Sequence, residues 1–137
     1  MPDISDPQWL QLADAARRAS ANAHCPYSRF RVGAAVLTGD GGIAAGCNVE
    51  NASYGLTVCA ERSAVTRAVA DGARSIEAVV VYTPTAEPVT PCGACRQVIA
   101  EFGRDARIRC ICDGPGVLEF CAADLLPSAF PKSGSEL

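Results

Sequence analysis

The sequence has no run of apolar residues long enough to cross a bilayer, which excludes a helical membrane span. The stretch Met1 to Pro7 has neither a basic start nor an apolar core, so no secretory signal peptide is expected. The expectation is a cytoplasmic protein with reduced thiols. Charge is sparse: Asp, Glu, Lys and Arg make up 20% of the chain and leave a net charge of −3. Arg17, Arg18, Arg29, Arg31, Arg62, Arg67, Arg74, Arg96, Arg104, Arg107 and Arg109 are scattered among acids. Without a basic stripe, a nucleic-acid polymer is disfavoured as a partner. Internal repeats and low-complexity segments are also missing. The 137 residues suit a single domain, 1–137, with loose tails at 1–5 and 131–137.

Apolar residues, by contrast, are plentiful at 49%, enough to bury a core without staples. The low charge also fits a chain that buries extra surface against copies of itself. There are 8 cysteines, which in a secreted chain would read as a disulfide framework. In a reducing compartment a Cys-x-x-Cys points instead to metal or redox chemistry.

Asp6-Pro7 predicts a helix start, with Asp6 as N-cap and Pro7 at the first helical position. Trp9, Leu12, Ala13, Ala16 and Ala19 then recur at helical spacing, and Pro26 ends the run. Phe30 to Leu37 and Ile43 to Val49 read as a hairpin around the Gly-rich turn 38–42. Asn51 to Val58 is turn-like, and Cys59 to Ala70 is helical by composition. Ile76 to Tyr82 is a β-branched, buried strand; a proline-rich loop and a helix from Gly93 to Phe102 follow. Strands at Ile108 to Cys112 and Val117 to Phe120, and a short helix at Ala122 to Leu126, complete the reading. A hairpin followed by β-α-β predicts an α/β fold, a mixed sheet with helices over its faces.

Two pieces carry chemistry: Cys59-Ala60-Glu61 and Pro91-Cys92-Gly93-Ala94-Cys95, each at a helix start. Unpaired N–H groups and the helix dipole favour thiolates there, the form that binds zinc. Three sulfur ligands leave one tetrahedral position for solvent, the arrangement of a catalytic site. The only histidine, His24, lies outside both motifs, and Cys25, Cys47, Cys110, Cys112 and Cys121 lack paired-ligand spacing with the three. Cys110 and Cys112 share one side of a strand as small core residues. Glu61, two positions after the first ligand, can reach the same site as a proton carrier. Three thiolates leave zinc at a formal −1, so a cation should stand close by; Arg62 and Arg96 both adjoin ligands, and Arg62 is preferred.

Cys-Ala-Glu paired with Pro-Cys-x-x-Cys matches the zinc deaminase signature, with Cys in place of the first-ligand His. Pro26-Tyr27-Ser28-x-Phe30-x-Val32-Gly33-Ala34-Ala35, Gly46-Cys47-Asn48-Val49-Glu50-Asn51-Ala52 and Leu125-Leu126-Pro127-Ser128-Ala129-Phe130 stand in register with the two motifs. Over roughly Pro26 to Phe130 the chain resembles the small, homotetrameric type of cytidine deaminase. The resemblance implies a three-layer α/β/α fold with a mostly five-stranded mixed sheet, and one Zn²⁺ per subunit. It also implies hydrolytic deamination of cytidine and 2'-deoxycytidine to the uridines and ammonia, in pyrimidine salvage. Under it, Asn48 and Glu50 resemble the pair that binds the ribose hydroxyl, Phe30 the ring that packs on the pyrimidine, and Ala60 a further substrate contact. Tyr54 and Phe130 sit where a subunit helps to wall a neighbour's pocket. Arg62 matches the residue that neutralises the ligand thiolates, and Gln97 the one that orients that arginine.

Other readings are a deaminase of a blasticidin-type cytosine nucleoside, a polynucleotide-editing deaminase, a structural zinc module for protein contacts, and a thiol redox protein. The Asn48 to Asn51 stretch favours an ordinary ribose over the antibiotic. The zinc module leaves Glu61 without a role, and the redox reading leaves both Cys59 and Glu61 without one.

Overall fold

The computed structural model describes residues 1–131, and the expected C-terminal tail beyond Pro131 lies outside them. The first helix, α1 (Asp6–Ser20), is capped by Ser5 rather than Asp6. Ser5 Oγ accepts from Gln8 N at 3.3 Å, and Gln8 Oε1 accepts from Ser5 N at 3.0 Å, a reciprocal cap that the hydroxyl completes. Ile4 is buried as well, so residues 4 and 5 belong to the fold and not to a loose tail. The helix stops well before Pro26. Ser20 Oγ takes the Arg17 carbonyl at 2.6 Å, and the next N–H groups fall back on carbonyls three residues earlier.

Five strands follow: β1 (Gly33–Thr38), β2 (Ile43–Cys47), β3 (Ile76–Tyr82), β4 (Arg107–Ile111) and β5 (Leu118–Cys121). Their order is β2-β1-β3-β4-β5, antiparallel except for the β3–β4 pair. Two helices, α2 (Ala60–Ala70) and α3 (Gly93–Phe102), cover the face opposite α1. Strand alternation sorts the core. Ala34, Val36, Val79, Val81 and Ile108 pack with Ala64, Val65 and Ile99, while Ala35, Leu37, Ala78 and Val80 pack with Trp9, Leu12 and Ala16. The result is the expected three-layer α/β/α arrangement on a mixed five-stranded sheet. Among the described residues no helix is long and apolar enough to cross a membrane.

Two glycines set how closely the helices dock. A Cβ on Gly33 would stand 1.8 Å from the Ala16 carbonyl oxygen of α1, and one on Gly46 would stand 2.5 Å from Ala64 N of α2. Both glycines lie towards one end of the hairpin, where β1 begins and β2 ends.

Strand ends differ from the sequence expectation where side chains take over the pairing. Residues 30–32 are not strand: Asn48 Nδ2 donates to Phe30 O at 2.7 Å and Asn48 Oδ1 accepts from Val32 N at 2.9 Å. Val49 leaves β2 to bridge His24 and Val58. Cys112 lies beyond the end of β4, so strand alternation does not place it beside Cys110; Cys110 joins the core under α2 and α3. The last helix is a single 3-10 turn, Ala122–Leu125.

Register brings Cys47, Gly33, Tyr82 and Ile111 into one row across the sheet end. The segments leaving β2 and β3 at this end lead to the starts of α2 and α3. Helix N-termini and loops gather at such strand ends, where α/β folds place their ligands.

Candidate active site

Cys59 is the N-cap of α2 and Cys92 the N-cap of α3, both with extended backbone. Neither side chain caps its own helix, which leaves both sulfurs free for another partner. Cys95 follows in the first turn of α3. Cys59 Sγ stands 3.9 Å from Cys92 Sγ, and Cys92 Sγ stands 3.5 Å from Cys95 Sγ. All three lie within 4.8 Å of one another. Sulfurs bound tetrahedrally to zinc at ~2.3 Å stand about 3.8 Å apart. The donor set and its spacing therefore fit zinc. Among the described residues these three cysteines are the whole of the metal-ligating group.

The electrostatics agree. Arg62 Nη2 donates to Cys59 Sγ at 3.5 Å and to Thr57 O at 3.4 Å. Arg62 Nε is buried without a hydrogen-bond partner among the described residues. The neighbouring Cys95 thiol, with Arg62 and Cys92 behind it, outweighs burial and brings the Cys59 thiol down to about 5. Cys95 is pushed up by its bond to Cys59 and by burial. A metal ion must displace any thiol proton on binding.

Glu61, in the first turn of α2, is only 5% exposed. Burial pushes its carboxyl up from the usual range, and the Cys59 thiolate adds to the effect. Glu61 lines a cavity of about 220 Å³ together with Cys59 and Ala60. Phe30, Asn48 and Glu50, read from sequence as substrate contacts, line the same cavity. The Glu50 carboxylate is already organised. Its Oε1 accepts from Tyr27 N at 3.0 Å and Ser28 N at 3.1 Å, and its Oε2 accepts from the Ser28 hydroxyl. That hydroxyl and the two amides hold the carboxyl below its ordinary value.

Tyr54 and Phe130 stand apart from this cavity. They are 74% and 80% exposed, and Tyr54 meets Tyr27 edge-on at 5.6 Å. Among the described residues Gln97 makes no hydrogen bond to Arg62; its Nε2 donates to Phe130 O at 2.7 Å and so holds the backbone of the exposed phenylalanine. Among the same residues Arg96 has no sulfur partner. It donates to Pro91 O at 2.7 Å, Thr90 Oγ1 at 3.2 Å and Leu125 O at 3.2 Å.

Sequence reasoning missed Thr57, Val81, Thr83, Val89 and Thr90, which also line the cavity. A signal was present for two of them. Thr57 and Thr90 each stand two residues before a cysteine N-cap, a spacing that the two motifs share.

Residues 7–112 match the family model described as the cytidine and deoxycytidylate deaminase zinc-binding region. The chain belongs to that family. Among its relatives, a cytidine deaminase of Sporosarcina psychrophila is 48% identical over 123 residues, 89% of this chain and 90% of that one. A cytidine deaminase of Mycobacterium tuberculosis is 43% identical over 130 residues, 95% of this chain and 92% of its own. The crystal structure of a cytidine deaminase from Burkholderia pseudomallei superposes with a TM-score of 0.85 at 47% identity, covering 88% of this chain and 98% of that one. The family's zinc-binding character and the three converging sulfurs agree on the metal.

Proposed function

We propose that this protein is a hydrolytic deaminase of cytidine and 2'-deoxycytidine, releasing ammonia and the corresponding uridine. The observation that carries the reading is a buried carboxyl, Glu61, lining a cavity of about 220 Å³ beside three converging thiols. Relatives named cytidine deaminase at 43% to 48% identity support it.

Cys59, Cys92 and Cys95 would hold the zinc, which when bound supplies the Lewis acidity that makes water nucleophilic near neutral pH. Glu61 accepts a proton from the attacking water at a carboxylate oxygen and delivers it to ring N3, so that C4 becomes electrophilic. The water oxygen then bonds to C4. Glu61 takes the remaining proton from the new C4 hydroxyl and delivers it to the 4-amino group; the C4–N bond breaks, ammonia leaves, and C4=O forms. One water is consumed and no net proton is left on Glu61. Phe30 packs on the pyrimidine, Ala60 borders it, and Asn48 and Glu50 hold the ribose. Asn48 retains one N–H and one lone pair beyond its two backbone bonds. Such positioning contributes by holding the ring within attack distance.

The high exposure of Tyr54 and Phe130, outside their own chain's cavity, supports a homotetramer in which each subunit helps to close a neighbour's pocket. A role in pyrimidine salvage belongs to the same reading. So does a reducing, cytoplasmic compartment.

The test is an absorbance assay with cytidine on protein of measured zinc content. Turnover of cytidine and 2'-deoxycytidine, with none of a single-stranded oligonucleotide, is expected. A blasticidin-type nucleoside preferred over cytidine would reassign the substrate. Zinc-loaded protein that releases no ammonia would sink the reading. Light scattering that finds a monomer would remove the shared pocket.

A further inference from the structure

Away from the metal centre, a buried thiol joins two loops. Cys112 is 2% exposed, and its Sγ lies 3.5 Å from Ala86 O, 3.6 Å from Gly114 O and 3.5 Å from Gly116 O. A single S–H can serve only one of these at a time, so three acceptors share one donor. The segments on either side are tied further. Asp113 N donates to Thr85 O at 2.9 Å, and the Tyr82 hydroxyl donates to the Asp113 carboxylate. They also fit without spare room: a Cβ on Gly114 would stand 2.1 Å from Ala86 O, and one on Gly116 would stand 3.2 Å from Pro88 Cδ. Segment 83–92 has no helix or strand of its own, yet Val89 and Thr90 line the cavity. Its shape there depends on what holds it.

Besides the Thr83 N bond to Ile111 O and the hydroxyl bonds Thr83–Thr85 and Thr85–Glu87 O, groups outside the segment hold it at its two ends. Arg96 grips Thr90 and Pro91, next to the ligand Cys92. Before the cavity wall, the Cys112 sulfur meets Ala86 O at 3.5 Å, one of its three acceptors, while its neighbour Asp113 N holds Thr85 O. We propose that Cys112 is a positioning residue for substrate: through Ala86 it sets the Val89–Thr90 wall of the cavity and leaves the metal centre to other contacts. The proposal rests on the deaminase reading above.

Kinetics with cytidine, zinc content and Tm, measured on Cys112→Ala, Cys112→Ser and the control Ile76→Val, test it. Ile76 is buried at the far end of β3, so its truncation costs stability away from the cavity. Cys112→Ala is expected to raise KM about three- to tenfold, the scale of one lost hydrogen bond, with kcat within about twofold and zinc stoichiometric. Cys112→Ser, which keeps a donor, should recover part of that KM; Ile76→Val should lower Tm and leave KM alone. Unchanged KM in Cys112→Ala, no recovery in the serine variant, or an equal KM rise in the control would overturn the proposal. If Cys112→Ala does not fold, Gly116→Ala, which crowds Pro88 from the same loop, carries the same expectation. An inactive zinc-loaded wild type overturns the deaminase reading and this proposal together; an active wild type with unmoved KM in the variants overturns the proposal alone.

Discussion

Arg62 Nη2 lies 3.5 Å from the sulfur of Cys59, three residues earlier on the same helix end. With a metal bound, the guanidinium would draw electron density from the Cys59 sulfur. Replacing it with glutamine should lower kcat about 10- to 100-fold, the usual cost of losing a partner of a metal ligand. KM should stay within a factor of a few, and Arg62→Lys should be intermediate. Steady-state kinetics with parallel zinc analysis separates this from metal loss.

Glu61→Gln keeps the size of the side chain and removes its ability to shuttle protons. Turnover should fall at least ~10²- to 10⁴-fold while zinc content stays stoichiometric. Near-normal activity would rule out Glu61 as the proton carrier.

Cys92→Ala removes an N-cap sulfur that no other residue replaces. Bound zinc should be lost, and Tm should drop with it, since metal binding is coupled to folding. A chelator applied to the wild type should reproduce the Tm drop, and added zinc should reverse it. A variant that still holds stoichiometric zinc would contradict the ligand assignment.

Gly46→Ala places a methyl group against the backbone of α2, 2.5 Å from Ala64 N and 2.9 Å from Ala60 O. Overpacking of this kind costs about 1–3 kcal/mol. Because α2 carries Cys59 and Glu61, activity should fall along with Tm. Urea denaturation and a zinc competition assay would measure the two effects.

The depressed Glu50 carboxyl predicts an acid limb of stability. Its clasp on residues 27 and 28 is fully present above the ordinary carboxylate value of 4.5. It is lost as pH falls through the lower folded-state value. Wild type should therefore exceed Glu50→Gln in Tm at pH 7, and the gap should close on acidification. A gap that stays constant down to pH 3 would show that the charge contributes nothing.

The parts of the fold that were legible in sequence are those whose local pattern and tertiary role coincide. Ile76–Tyr82 and Gly93–Phe102 were read with their observed bounds because one is an unbroken β-branched strand and the other runs from a cysteine cap to a glycine. Phe30–Val32 was misread as strand because its apolar residues are held by a side chain, Asn48, from another segment. No periodicity records such a bond. The site divides in the same way. Cys59, Glu61, Cys92 and Cys95 are short-range motifs, whereas Thr83 and Val89 reach the cavity only through the path of a loop. Gln97 was assigned to Arg62 by resemblance, but its amide is taken by the backbone of Phe130.

The two cysteine N-caps stand 33 residues apart, with a central sheet strand between them in the chain. Pairing of β3 beside β1 belongs to the same arrangement that brings the three sulfurs together at one end of the sheet. An ion held by all three sulfurs would clip that 33-residue loop shut, so metal supply would set how firmly the two helix starts stay together.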